Sequence, residues 1–329
     1  LAVELTERRF SRISRHGNSV IVPAELWLWR SFPSSERLEV RAELDPTVQL
    51  SVPWQRLGKG RYLVPGGPGQ WPGLSVFGEF ASWPIRIGQT RMSVAALNSE
   101  LPLDRDIIVP WLSGAAGAVA RLHGTLPVTE LQVVVVPLHQ AHRGPVGSGR
   151  VLREGGDAVQ FLVHHQASLP ALRHDWTAYH EFGHLLLPFI GREDSWLSEG
   201  LATYMQVRLL VSEGQVPEEA GWEVLMKRFA GARETLAKKP LGALSTRSRG
   251  SANHAVYWGG AMSLIAMDLA HLEEGGEGLI EIRGRFARCC MPTRRLWGGA
   301  ELMDRLDALG PTDVYGTLIA STRRRSALT

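Results

Sequence analysis

Residues 180–184 read His-Glu-Phe-Gly-His, and this pentapeptide constrains the fold more than any other stretch of the 329-residue chain. On an α-helix, side chains four residues apart lie on one face, about 6 Å from each other along the axis. The imidazoles of His180 and His184 can therefore both reach one metal ion. Glu181 lies next to this pair, close enough to act on a water molecule held at the same ion.

The residues around the pentapeptide predict two consecutive helices. No glycine or proline flanks the motif until Pro188, so a buried helix is expected there, ended by Pro188 and Gly191. A second helix can begin near Asp194 or Ser195, since both are favoured N-cap residues. Glu199 then falls in the first turns of the second helix, where its carboxylate could project back at the two histidines.

Two histidines at this spacing, with a glutamate after the first, are the signature of zinc hydrolases in which the glutamate acts as general base. A structural zinc site closes with four protein ligands, whereas a catalytic site keeps one position for water. His180, His184 and Glu199 would give the open arrangement around a single Zn²⁺ ion. The alternatives are two core histidines on an amphipathic helix and, for Glu199, a surface carboxylate at a helix start.

Other residues remain candidates for the site. The third ligand could instead come from the connecting loop or from upstream histidines, namely Glu193, Asp194, His164, His165 and His174. A hydrolase of this kind also needs a donor for the oxyanion that develops on the substrate. Tyr257, which leads into an apolar helix through residues 262–269, is one candidate, and a core tyrosine is the alternative. His254 is a second candidate for the same role.

Composition excludes several classes of protein. The net charge of +3 is small and spread along the chain, which argues against a nucleic-acid partner. No apolar run approaches the length of about 18 residues that a membrane span requires. Cys289 and Cys290 are the only cysteines, and because adjacent cysteines rarely bridge each other, a disulfide framework is not expected. The start at Leu1 instead of methionine favours a processed, extracytoplasmic form.

The chain divides by pattern into three predicted domains. Residues 1–100 predict a β-rich domain, because short alternating runs such as 38–44 and 48–52 are separated by prolines and glycines. Its tryptophans could bind sugars or peptides, but core and edge positions of a small sandwich are the preferred interpretation. These tryptophans are Trp27, Trp29, Trp54, Trp71 and Trp83.

The second predicted domain, residues 101–193, is a mixed α/β lobe that carries the metal-site helix, and the third, residues 194–329, is a helical lobe. The mixed lobe contains one long helix and two buried strands by its apolar pattern. Its predicted elements are a helix over 105–123, strands over 131–136 and 158–163, and a loop over 144–149.

The stretch 130–290 resembles the gluzincin metallopeptidases, particularly the aminopeptidase N-type enzymes and the glycyl aminopeptidases. In these families the H-E-x-x-H helix is followed by W-L-x-E-G-x-A-x-Y. That pattern is matched here by Trp196, Leu197, Glu199, Gly200, Ala202 and Tyr204. The resemblance implies an α+β multidomain fold, with an N-terminal β-sandwich-like domain followed by a thermolysin-like catalytic domain of a mixed α/β lobe and an all-helical lobe.

The resemblance also implies roles for individual residues. His180, His184 and Glu199 would bind zinc, Glu181 would be the general base, and Tyr257 would donate to the oxyanion. The implied activity is hydrolysis of peptide bonds in a peptide or protein substrate. A catalytically inactive scaffold of the same fold, or a zinc hydrolase of a non-peptide substrate, are the alternatives, since a fold does not fix a substrate.

Three departures from the families concern the site. The gap between His184 and Glu199 is shorter, which implies a trimmed connection between the two helices. Gly259 stands where lysine is usual after the catalytic tyrosine. The region 147–154 lacks the Met-Glu-Asn with which aminopeptidase N-type enzymes grip a substrate's amino group. Glu154 could substitute there, so aminopeptidase and endopeptidase activity both remain open.

Overall fold

The computed structural model describes residues 13–28, 38–65, 73–97, 101–139, 144–153, 156–245, 251–273, 277–293 and 295–310. The architecture is mixed α+β. The chain separates into two compact units. The first contains Leu1–Ala116 and Val128–Thr177, and the second contains Gly117–Pro127 and Ala178–Thr329. The predicted domain boundaries at residues 100 and 193 stay predictions.

The first unit begins with two small antiparallel sheets. Their strands are short because prolines and glycines interrupt the chain every few residues. One sheet has the order β1-β2-β7-β4 and the other has the order β3-β6-β5. The strands are β1 (Ser14–His16), β2 (Ser19–Pro23), β3 (Leu38–Arg41), β4 (Gln49–Ser51), β5 (Gln55–Gly58), β6 (Arg61–Val64) and β7 (Leu74–Gly78).

A five-stranded mixed sheet follows in the same unit, with the order β11-β12-β10-β9-β8. Its three central strands are parallel and its two outer strands are antiparallel. Side chains from this sheet and from β2 and β7 form one continuous apolar core. The strands are β8 (Phe80–Ile87), β9 (Thr90–Leu97), β10 (Glu130–Leu138), β11 (Val146–Leu152) and β12 (Asp157–His164).

The long helix α1 (Arg105–His123) precedes β10, and the short helix α2 (Leu169–His174) follows β12. Trp111 of α1 packs edge-on against Phe161 of β12, with ring centroids 5.1 Å apart. The predicted helix over 105–123 and the predicted strands over 131–136 and 158–163 are confirmed.

The predicted loop over 144–149 is wrong, because most of it belongs to edge strand β11. This strand pairs with β12 and has an irregular register between Val146 and Ser148. Gly147 lies at that irregularity, and a Cβ there would be 2.7 Å from the side chain of Leu138. The glycine therefore permits a close approach within a strand and is not a sign of a loop.

Three tryptophans of the β-rich region lie in the described residues, and two of them pack against each other. The rings of Trp27 and Trp54 lie 5.7 Å apart, and Trp54 is only 4% exposed. Trp83 is half-buried in β8. These three positions are consistent with the preferred core and edge interpretation. Trp29 and Trp71 lie outside the described residues.

The second unit is almost entirely helical, apart from a parallel pair of two-residue strands. The part of α1 from Gly117 onward belongs to this unit, and helix α3 begins at Thr177, the last residue of the first unit. The helices that follow α3 lie wholly in the second unit. The helices are α3 (Thr177–His184), α4 (Ser195–Ser212), α5 (Glu218–Leu236), α6 (Leu241–Ser245), α7 (Ser251–His254), α8 (Gly260–Glu273), α9 (Leu279–Cys290) and α10 (Gly299–Asp307). The strands are β13 (Phe189–Ile190) and β14 (Leu296–Trp297).

The expectation about the two cysteines is wrong. Cys289 and Cys290, at the end of α9, are joined in a disulfide between neighbouring residues. Adjacency makes such a bridge rare, because its closed ring is small, but it does not forbid one. Within the described part of the chain, no helix has the length and apolar character that a bilayer span requires.

Candidate metal centre

Helix α3 presents the two histidines of the pentapeptide, and it is shorter than its flanking sequence predicts. The carboxylate of Asp175 accepts a hydrogen bond of 2.8 Å from the amide of Thr177, which starts the helix. The helix ends at His184, and residues 185–187 form a buried turn instead of another helical turn. The prediction that Pro188 and Gly191 end the helix is therefore wrong by about one turn.

Helix α4 brings Glu199 to the two histidines, so that three ligand-type atoms converge. The Oε2 atom of Glu199 lies 3.2 Å from Nε2 of His180 and 3.5 Å from Nε2 of His184. The two Nε2 atoms are 3.1 Å apart. Four ligands placed tetrahedrally around zinc, with bonds near 2.0–2.1 Å, would be separated by about 3.3 Å. The three spacings therefore fit the donor set of one zinc ion.

The alternative third ligands do not join this group. Among the described residues, His180, His184 and Glu199 form the one cluster of three that could hold a metal ion. Asp194 is engaged elsewhere, because its carboxylate accepts a 2.8 Å hydrogen bond from the amide of Gly299. The remaining alternatives, Glu193, His164, His165 and His174, also lie outside the cluster.

Two side chains that the sequence did not single out orient the histidines. The Oε1 atom of Gln206 lies 2.8 Å from Nδ1 of His180, and Oγ of Ser198 lies 2.9 Å from Nδ1 of His184. An amide oxygen only accepts, so Nδ1 of His180 carries the proton and Nε2 is left free to bind a metal. Gln206 lies two helical turns after Glu199, and this i, i+7 spacing was the available signal.

The electrostatics of the cluster favour an ionised Glu199. Burial alone would raise the pKa of this carboxyl, but the neighbouring His184 and His180 outweigh that effect and hold the pKa well below its ordinary value. For His180, burial lowers the pKa, while the hydrogen bond that Glu199 accepts and the charges of Glu181 and Glu199 raise it above the ordinary value overall. The carboxylate is thus kept in the anionic form that a metal ion requires.

Tyr257 lies against the same cluster. It belongs to a π-helical segment, Ala255–Gly259, between α7 and α8, and such segments often occur at functional sites. Its ring is parallel to that of His180, with centroids 5.3 Å apart, and its hydroxyl interacts with Glu199. Burial and the charges of Glu199 and Glu181 raise the pKa of Tyr257 far above its ordinary value, so the hydroxyl stays protonated.

His254 occupies a different position and faces helix α5. A Cβ added to Gly231 would lie 3.2 Å from the ring of His254. The centroid of the Trp258 ring lies 6.4 Å from that of the His254 ring. Burial, followed by the charge of Arg228, lowers the pKa of His254. These contacts give His254 a packing role on α5, whereas Tyr257 contacts the ligand cluster.

Two glycines set the distance between Glu199 and Tyr257. Helices α4 and α8 touch at Gly200 and Gly260, where a Cβ on Gly200 would lie 2.5 Å from the backbone of Gly260. The close crossing fixes the helix that carries Glu199 against the segment that carries Tyr257. Gly259, where the related families have lysine, is buried, and a Cβ there would lie 2.7 Å from the side chain of Leu236.

The candidate anchor for a substrate amino group cannot be placed. Glu154 lies outside the described residues. The strand that precedes it, β11, forms the edge of the five-stranded sheet in the described part of the chain.

Solved structures of an aminopeptidase N family protein and of M1 zinc metallopeptidases share this fold. An aminopeptidase N family protein from Idiomarina loihiensis is similar with a TM-score of 0.62 and 13% identity, over 82% of this chain and 53% of that chain. For an M1 zinc metallopeptidase from Deinococcus radiodurans, the TM-score is 0.56 at 14% identity, over 95% and 72% of the two chains. A mutant two-domain M1 zinc metallopeptidase bound to L-arginine is similar with a TM-score of 0.57 and 14% identity, over 89% of this chain and 64% of that chain.

The chain thus spans about half the length of the first of these proteins. No protein-family model matches the sequence, and no curated protein matches it significantly. At identities near 14%, the likeness establishes the fold. The chain therefore has a gluzincin-type, aminopeptidase-like fold, and it carries a group of three residues that could hold a metal ion.

Proposed function

We propose that this chain is a zinc-dependent peptidase that hydrolyses peptide bonds, with Glu181 as general base. The observation that carries the proposal is the convergence of His180 Nε2, His184 Nε2 and Glu199 Oε2, with spacings of 3.1, 3.2 and 3.5 Å. Three protein ligands leave a fourth position for water or substrate, as catalytic zinc sites do. The fold shared with M1 zinc metallopeptidases supports the same assignment.

His180, His184 and Glu199 would hold the zinc ion. When bound, zinc supplies Lewis acidity that makes water a stronger acid and polarises a carbonyl group. Glu181 follows His180 directly on α3, and its charge acts on both His180 and Tyr257. Its carboxylate can therefore take a proton from the attacking water and return it to the leaving amine.

Tyr257 would stabilise the charge that develops on the substrate's carbonyl oxygen. A donor of this kind must remain protonated during the reaction, and the raised pKa of Tyr257 keeps its hydroxyl neutral. Gln206 and Ser198 would hold the imidazoles in the tautomer that leaves each Nε2 free for the metal.

The proposal includes a thermolysin-like catalytic domain, made of a mixed lobe and a helical lobe, as the frame for this chemistry. Peptides or amino-acid derivatives are the proposed substrates. One similar structure, that of a two-domain M1 zinc metallopeptidase, contains L-arginine, a free amino acid of the kind that an aminopeptidase releases. Cleavage at the first bond and cleavage at internal bonds are both compatible with the geometry of the ligand cluster.

Two measurements on the purified chain test the proposal. One is the metal content, and the other is mass-spectrometric mapping of the bonds cut in a random peptide mixture. We expect one zinc per chain and peptide cleavage that a chelator abolishes. Cuts confined to the first bond would identify an aminopeptidase, and internal cuts an endopeptidase. Stoichiometric zinc without any hydrolysis would indicate an inactive scaffold. Hydrolysis of esters or epoxides in a substrate panel, with no peptide cleavage, would overturn the proposed substrate class.

A further inference from the structure

A cavity of about 950 Å³ lies in the first unit, and none of its lining residues belongs to the metal centre. One wall is a face of the five-stranded sheet, where side chains of β8, β9 and β10 stand in cross-strand rows. One row consists of Pro84, Ser93 and Gln132. The other row consists of Arg86, Arg91 and Glu130. Strands β4 and β5 and the aromatic rings of Trp54 and Tyr62 also line the cavity.

Two buried polar atoms on residues that line this cavity have no hydrogen-bond partner. Gln132 is 1% exposed, and its amide nitrogen donates to Oγ of Ser51 at 2.9 Å, but its Oε1 is unpaired. Trp54 is 4% exposed, and its Nε1 is unpaired. Buried polar groups in folded proteins are nearly always hydrogen-bonded. One atom is an acceptor and the other is a donor, so the wall of the cavity is polar as well as aromatic.

The cavity also has an excess of positive charge. Arg56, Lys59 and Arg86 line it, and none of the three forms an ion pair within the described part of the chain. Arg91 is neutralised by an ion pair with Glu130. Asp45 is the one other acidic residue of the lining, so three cations face a single carboxylate. The remaining excess of positive charge favours an occupant that carries negative charge.

Two strands beside the cavity are edge strands in the part of the chain that the structure describes. In the described part of the chain, β4 is the last strand of its sheet and β5 is the last strand of another. Such edges pair with extended peptides, whose main chain adds to the sheet while alternate side chains enter pockets. We propose that this cavity binds an extended peptide segment that carries acidic side chains, at a site separate from the metal centre.

The experiment uses the full chain with Glu181→Gln, so that a bound peptide stays intact. A fluorescein-labelled octapeptide in which valine alternates with glutamate is titrated by fluorescence anisotropy, beside the same peptide with lysine in place of glutamate. We expect the acidic peptide to bind at least tenfold more tightly. Arg86→Glu and Arg56→Glu should each weaken its binding about tenfold. Arg15→Glu, an exposed position on β1 with the same charge change, should leave binding within twofold.

A benzophenone group at the centre of the acidic peptide locates the site independently of affinity. Photo-crosslinks should map to residues 49–59 or 82–93, which contribute much of the lining. Equal binding of the acidic and basic peptides, or crosslinks elsewhere, would overturn the proposal. So would tighter binding of a heparin hexasaccharide than of the acidic peptide, because the cavity would then recognise an anionic sugar. None of these outcomes depends on hydrolysis at the metal centre.

Discussion

At the scale of single residues, Glu181 is distinguished from its neighbours because it lies beside the ligand cluster without belonging to it. If it is the general base, Glu181→Gln should remove the proton acceptor and leave the ligands in place. We expect kcat to fall about 10³-fold, within the range typical of general-base removal, while zinc remains stoichiometric. Peptide-cleavage kinetics and metal analysis of the same preparation measure the two effects.

Glu223→Gln is a matched control for that substitution, since Glu223 is an exposed carboxylate on α5. It should cleave peptides at the wild-type rate. If Glu181→Gln also cleaved at the wild-type rate, another group would have to be the base.

Gln206 gives a second prediction at this scale, because it acts only through His180. Gln206→Leu keeps the side-chain size but removes the acceptor 2.8 Å from Nδ1. We expect zinc affinity to fall about 10- to 100-fold, as is typical when the partner of a ligating histidine is lost. Competition with a fluorescent chelator measures the affinity. Gln206→Glu, which retains an acceptor, should restore most of it, and equal affinities for all three proteins would rule out the orienting role.

The residues that could be foreseen at the site are those that a local spacing connects. His180 and His184 are one helical turn apart, so their convergence follows from the sequence. Ser198 and Gln206 were not identified, because serine and glutamine are ordinary helix residues. The i, i+7 spacing of Gln206 from Glu199 indicates a shared helix face, but its contact with His180 follows only from the packing of α3 against α4. Glu199 is intermediate, since its position in the second helix and the projection of its carboxylate toward the histidines were predicted, but other candidates for the third ligand remained open in the sequence.

At the scale of elements, the contact of α4 with α8 determines how Glu199 meets Tyr257. Gly200→Ala would place a Cβ 2.5 Å from the backbone of Gly260, so the helices must separate. Overpacking of this kind costs about 1–3 kcal/mol of folding free energy. Because a displacement of about 1 Å can lower a rate about 100-fold, we expect activity to fall more than stability does. Thermal denaturation and cleavage kinetics measure the two quantities.

Gly114→Ala in α1 is the control for this substitution, because a Cβ at that position meets nothing within 4 Å. Replacing a glycine inside a helix with alanine should raise the free energy of unfolding by roughly 1 kcal/mol and leave activity unchanged. If Gly200→Ala matched Gly114→Ala in both the free energy of unfolding and the activity, the helix crossing would have to tolerate a methyl group.

Elements with a strong apolar pattern were predicted well, and those shaped by packing were not. Helix α1 and strands β10 and β12 carry periodicities that hold without any partner. Strand β11 was assigned to a loop because its glycines resemble a turn, whereas pairing with β12 decides its conformation. Similarly, α3 ends at His184 although Leu185–Leu187 suit a helix, since those side chains are buried in a turn. Local propensity is a weak guide where tertiary contacts compete with it.

At the scale of the whole molecule, the sequence pattern predicts an order of β-rich, mixed and helical segments, but it does not predict which distant strands pair. Strands β8 and β9 precede residue 100, yet they pair with β10 in the five-stranded sheet. Alternation along a strand indicates which side chains are buried but does not identify the neighbouring strand. The apolar core shared by β2, β7 and this sheet is a consequence of that pairing.

Metal binding should contribute to the stability of the folded chain, because the proposed ligands come from two helices that an unfolded chain does not hold together. At free zinc 1,000-fold above its dissociation constant, binding would add about 4 kcal/mol to the free energy of unfolding. Dialysis against a strong chelator should therefore lower the melting temperature, and re-addition of zinc should restore it. In His184→Ala, which loses one ligand, the melting temperature should respond far less to the chelator. A chelator effect of the same size in both proteins would place the stabilising metal elsewhere in the chain.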